Sequence, residues 1–81
     1  MEKVKLEYAI EVNGQEVTEL EVRRPTVKDQ LAAERKGKNQ YQGEKEVMMF
    51  ADLCCLAPED IYKMDMKDYL KLQEVFKHFL S

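Results

Sequence analysis

The sequence predicts an α+β fold: an N-terminal β-hairpin followed by three to four short helices packed as a small helical half. Three observations carry that prediction. Residues 3–23 alternate polar and apolar with a period of two on either side of Asn13-Gly14. From residue 44 onward, apolar residues recur at helical spacing instead. Between the two regimes, Pro25, Thr26 and Asp29 mark a switch from strand to helix. A chain of 81 residues can bury one modest core and not two, so residues 1–81 are read as a single domain. Its parts are a hairpin over 1–24, a helix over 26–36, a flexible loop over 37–43 and the helical half over 44–80.

In the first strand Val4, Leu6, Tyr8, Ile10 and Val12 alternate with Lys5, Glu7, Ala9 and Glu11. The returning strand, Glu16 to Arg23, has Leu20 and Val22 as its apolar set. A two-residue turn at Asn13-Gly14 pairs Val12 with Gln15 and so Leu6 with Glu21, which puts the two apolar sets on opposite faces. A three-residue loop ending at Gly14 pairs Glu11 with Gln15, Leu6 with Leu20 and Val4 with Val22. The second register is favoured because it yields one continuous apolar face.

Pro25 cannot donate to a ladder and ends the strand. Thr26 then serves as the N-cap of a helix, with Asp29 at its third position in a variant of the capping box. That helix loses its pattern at Gly37, and Gly37, Asn39 and Gly43 make residues 37–43 the most flexible stretch. A second helix is expected from Glu44 to Cys55, with Val47, Phe50, Ala51 and Cys54 on one face and Met48, Met49, Leu53 and Leu56 widening it. Pro58 suits the first position of a short helix, with Glu59 and Asp60 favourable to its dipole and Ile61 and Met64 buried. Asp65 caps the last helix, with Asp68 at its third position. Along that helix Tyr69, Leu72, Phe76 and Phe79 form one stripe.

Composition narrows the function classes. Sixteen acidic against thirteen basic residues leave a net charge of −3, whereas a nucleic-acid-binding face normally carries a basic excess. The one basic cluster, Arg35-Lys36-Gly37-Lys38, is read as a solvated loop. No stretch reaches the ~20 apolar residues that cross a bilayer. Met1-Glu2-Lys3 runs directly into the alternation, which predicts no signal peptide. Cys54 and Cys55 are adjacent, with no second pair to complete a zinc site, so a reduced cytosolic protein with filler thiols is expected.

No catalytic constellation emerges. His78 is the sole histidine and sits beside Lys77, where it complements the end of a helix dipole. Neither cysteine has a base or a cation fixed near it by the sequence. The pairs Glu59-Asp60 and Asp65/Asp68 lack the glycine and terminal Glu of a calcium loop and are explained as helix-start charges. Three isolated glycines make no phosphate loop. The chain is therefore read as a non-enzyme without cofactor or metal. Its surplus is apolar: five Met, four of them at 48, 49, 64 and 66, and a helix 44–55 apolar over more of its circumference than a small bundle covers. Met-rich, adaptable patches hold varied partners. The candidate partner-binding residues are Met48, Met49, Leu53, Met64 and Met66.

The order of these features resembles a known family. Asn13-Gly14 and Leu20 lead into Arg23-Arg24-Pro25-Thr26 and Asp29. Leu53, Leu56, Pro58-Glu59-Asp60-Ile61, Met64-Asp65, Asp68-Tyr69 and Leu72-Gln73 follow. Over roughly residues 4–76 this looks like the short tail assembly chaperones of Mu-like and related contractile-tailed bacteriophages and prophages. The resemblance implies a non-enzymatic chaperone of the host cytoplasm, absent from the mature virion. Its client would be the tape measure protein, kept soluble until tail tube subunits polymerise around it. In such phages a programmed frameshift often yields a longer form, implied here as a further partner. The resemblance leaves a homo-oligomer open. Ala57 departs from the pattern, standing where a capping Ser or Thr is expected, and so does the Cys54-Cys55 pair. The competing reading is a small structural or regulatory module that binds a partner through the open edge of its hairpin.

Overall fold

In the computed structural model, which describes residues 1–81, the alternating segment folds as β1 (Glu2–Val12) and β2 (Gln15–Val22), an antiparallel pair. Asn13 (φ 52°) and Gly14 (φ 80°) are both left-handed, as a two-residue turn of the mirror-image type requires. The turn pairs Val12 with Gln15 and Ile10 with Val17. The three-residue loop expected from the apolar pattern is thus corrected, together with its pairings of Leu6 with Leu20 and Val4 with Val22.

The conflict that motivated that expectation is real, and the chain resolves it elsewhere. Beyond Ile10 the register jumps, and Lys5 pairs with Glu19, Val4 with Leu20 and Glu2 with Val22. Residues 6–9 of β1 therefore stand against Thr18 alone, a wide bulge with an odd number of extra residues. An odd insertion inverts which side chains face the core. Val4 thereby shares the face of Leu20 and Val22, and all three are buried; Ile10, paired with Val17 on the turn side of the bulge, is buried as well. Outside, Lys3 opposes Glu21 and Lys5 opposes Glu19 as cross-strand charge pairs.

Four helices follow. The first, α1 (Val27–Lys36), starts with a complete capping box: Thr26 Oγ1 accepts the Asp29 N–H, and Asp29 Oδ2 accepts the Thr26 N–H at 2.8 Å. The second, α2 (Gln42–Cys54), begins two residues before the expected Glu44, which shortens the 37–43 loop to residues 37–41. Gly43 is tolerated in its first turn, where N–H groups have no intrahelical partner. Gly37 has a packing role: a Cβ there would lie 2.6 Å from Lys45 Cγ, so α1 and α2 approach only because it is absent.

Cys55 closes α2 in a left-handed conformation (φ 57°), and the Leu56 N–H returns to Ala51 O at 2.8 Å. The short α3 (Pro58–Tyr62) keeps half a capping box despite Ala57: Asp60 Oδ2 accepts the Ala57 N–H at 3.1 Å. Last comes α4 (Met66–Leu80), capped by Asp65, whose side chain accepts the Lys67 N–H.

The core lies between the inner face of the hairpin and the helices, with α2 at its centre. Met49, Phe50, Ala51 and Leu53 of α2 are buried against Val4, Leu20 and Val22 of the sheet, Ile61 of α3, and Leu72 and Phe79 of α4. The Phe50 ring packs tilted against Tyr69 and Phe76, with centroids 5.6 and 5.5 Å away. No buried side-chain polar atom lacks a hydrogen-bond partner.

Candidate functional site

The groups best suited to chemistry are the two buried carboxylates, and both are committed to the scaffold. Asp29 receives the Arg23 guanidinium in a bidentate pair at 2.8 and 2.7 Å, along with the Thr26 N–H and hydroxyl. The Arg23 bonds, reinforced by Thr26, outweigh burial and hold its carboxyl far below the ordinary range. Asp68, wholly buried, accepts the Glu7 and Tyr8 backbone N–H groups at 2.9 and 3.0 Å, with Lys71 Nζ 3.3 Å away. Burial alone would raise its pKa, but the two amides and the ammonium together bring it below its usual value. Neither carboxylate lines a cleft. Asp68 is thus more than a helix-start charge, because it fastens the β1 bulge to α4.

The nucleophile candidates are not assembled with a base. Burial, and then the neighbouring Cys55, push the Cys54 thiol up to about 11, so the thiolate that reactivity requires is disfavoured. Cys55 and His78 are exposed on separate helix ends. No group of three or more His, Cys, Asp or Glu side chains is placed to hold a metal ion. No helix is long and apolar enough to cross a membrane.

What the structure offers instead is apolar surface. A shallow cleft of about 170 Å³ between α2, α3 and the start of α4 is lined by Val47, Ile61, Tyr62, Met64, Met66 and Tyr69. Tyr62 and Met66 stand at 58% and 65% exposure, whereas Ile61 and Met64 form the buried floor. One wall is held rigidly: the Tyr69 hydroxyl donates to Glu46 Oε1 at 2.6 Å, and Gln73 Nε2 binds the same oxygen at 2.9 Å. Burial, followed by the Glu46 carboxylate, raises the Tyr69 pKa and keeps the phenol protonated as a donor.

The five residues expected to bind a partner, Met48, Met49, Leu53, Met64 and Met66, differ in exposure. Leu53 (1% exposed) and Met49 belong to the core, because α2 is covered on most of its circumference by the sheet, α1 and α3, and Met64, between α3 and α4, is buried as well. Leu53 also lends its carbonyl to the Arg23 N–H, tying the end of the hairpin to α2. Met64 still touches the cleft from below, Met66 stands open at its rim, and Met48 is half-buried outside it. Sequence reasoning missed Tyr62 as a surface residue of this cleft. The available signal was its position off the stripe of Ile61 and Met64, whose i, i+3 spacing sets the buried side of the α3 turn.

A family model described as "Phage tail assembly chaperone proteins, E, or 41 or 14" matches residues 3–81. No curated protein and no solved structure gives a match. The matched span takes in every secondary-structure element from the hairpin to α4, and the chain belongs to the phage tail assembly chaperone family.

Proposed function

We propose that this protein binds the tape measure protein and keeps that long apolar helical client soluble while the tail tube assembles around it. It does so without catalysis, in the host cytoplasm. Family membership supports the assembly role, and the observation that carries the reading is the apolar cleft bounded by Tyr62, Met64 and Met66. Such a cleft suits the apolar side of a client helix: a fixed aromatic wall gives it shape, and the flexible Met66 adapts to varied residues along a repetitive partner. Low affinity per site is an advantage for a client that polymerising tube subunits must displace. Co-expression with the tape measure protein tests the proposal. The soluble fraction of the client should rise several-fold, and an equally insoluble client with and without the chaperone would overturn it.

A second reading has its own observation. The outer edge of β1 is covered, with Lys71 Nζ on Lys5 O, Lys63 Nζ on Glu11 O and Asp68 on the bulge. No hydrogen bond from residues 15–22 leaves the hairpin, so β2 presents an open edge to a partner strand. A complex that survives Met66→Glu but is lost when Pro replaces Glu19 would favour that mode.

A further inference from the structure

Of the basic side chains outside ion pairs, Lys3 and Lys5 stand on β1 opposite Glu21 and Glu19, and the others are gathered on one side of this acidic protein. Ion pairs occupy Arg23, Lys36, Lys45, Lys63, Lys67, Lys71 and Lys77. Arg24, Lys28, Arg35 and Lys38, all on or beside α1, have no carboxylate partner. Between them runs an aliphatic ridge. Val27 and Leu31, one helical turn apart, are 77% and 56% exposed, and Leu80 at the end of α4 is 66% exposed. Val27 and Leu80 share the walls of a groove of about 270 Å³ whose floor is Met49 and Phe76. Lys28 and Arg35, two turns apart, border the ridge on one flank. On the other flank lie Gln30 and Glu34, the latter already engaged by Lys45.

We infer that this α1–α4 face is a second docking site, and that its occupant is an acidic amphipathic helix. A helix laying Leu-type side chains at i, i+3, i+4 and i+7 into the groove would cover the ridge, and carboxylates beside that stripe would meet Lys28 and Arg35. A second copy of this chain is disfavoured, because a two-fold contact would set Lys28 and Arg35 against their own equivalents. Nucleic acid would satisfy the cations but gains nothing from an aliphatic ridge between them. Insertion into an anionic bilayer needs a broader apolar face than two residues of a helix whose other side is fixed to α2. The site goes beyond tape measure recognition: it lies apart from the α2–α4 cleft, and either surface can fail its test while the other passes.

The test uses the full chain and a fluorescent synthetic peptide of about 18 residues, with Leu at helical spacing flanked by Glu. Anisotropy titration should show saturable binding that weakens at least tenfold in Lys28→Glu/Arg35→Glu and at least tenfold in Leu31→Asp. Raising salt from about 0.05 to about 0.5 M should weaken it several-fold. All three substitutions are at exposed positions, and an unchanged thermal midpoint confirms that each variant is folded. Met66→Glu should bind the peptide unchanged. The proposal is overturned if the counterpart peptide with Lys for Glu binds as well, or if Leu31→Asp binds normally. Tighter binding of an oligonucleotide duplex or of anionic phospholipid vesicles than of the acidic peptide would also overturn it.

Discussion

Asp68 and Tyr8, 60 residues apart in sequence, are joined by a 3.0 Å hydrogen bond from the Tyr8 backbone N–H to the buried carboxylate. With the adjacent Glu7 N–H on the other oxygen, this makes the irregular part of β1 the point where the hairpin docks on α4. The bulge both corrects the register and offers the two donors, so the fold depends on it twice. Asp68→Ala leaves two donors without their charged acceptor, at a cost of about 3 kcal/mol. Asp68→Asn retains one acceptor and should cost roughly half as much. Urea unfolding measures both, and amide exchange at Glu7 and Tyr8 should accelerate before that of the rest of β1.

The two buried aspartates set the acid limit of the fold. Asp29 and Asp68 both have depressed pKa values in the native state, so the unfolded chain binds more protons as pH falls through their range. Their stabilisation is complete above the unfolded carboxylate value of about 4 and is progressively lost below it. Unfolding free energy should therefore be nearly flat from neutral pH down to about 5 and drop steeply beneath 4. Asp29→Asn and Asp68→Asn should each be less stable at neutral pH and show a shallower acid slope. An acid slope identical to that of the parent would refute the assignment.

Cys55 is a cysteine in a glycine position. Its left-handed backbone carries a Cβ penalty, and its exposed side chain offers no packing in return. Cys55→Gly should stabilise the protein by about 1 kcal/mol and raise the thermal midpoint by about 4–8 °C. Cys54→Gly, inside α2 and half-buried, should do the opposite. Differential scanning calorimetry under reducing conditions separates the two.

Much of this architecture is legible along the chain because local chemistry and tertiary structure agree. Thr26 with Asp29 caps a helix in any context, Asn13-Gly14 turns in any context, and the apolar periods differ on the two sides of Pro25. The register was not legible for the opposite reason. Local pattern favoured a wider turn, and what stabilises the bulge instead is Asp68, whose partners lie 60 and 61 residues away. Which of the candidate partner-binding residues are buried was not legible on the same grounds. Spacing on α2 shows that Met49 and Leu53 are apolar, but only the assembled packing decides that α2 is central and covered. Of the residues around the cleft, the exposed ones are Met66 at the start of α4 and Tyr62 on the one-turn α3.

That distinction separates a folding defect from a binding defect in the chaperone itself. Leu53→Glu and Met49→Glu place a charge in the core and should unfold the protein, because an unpaired buried carboxylate costs several kcal/mol. Their loss of client solubilisation would then say nothing about contact. Met66→Glu and Tyr62→Glu alter the exposed rim of the cleft and should leave the thermal midpoint within a few degrees of the parent. If the cleft holds the tape measure protein, the rim variants lose most of their effect on client solubility while remaining fully folded by circular dichroism. Rim variants that solubilise the client as well as the parent would place the binding surface elsewhere. The α1–α4 groove, with Leu31→Asp as its probe, is then the next surface to test in the same co-expression assay.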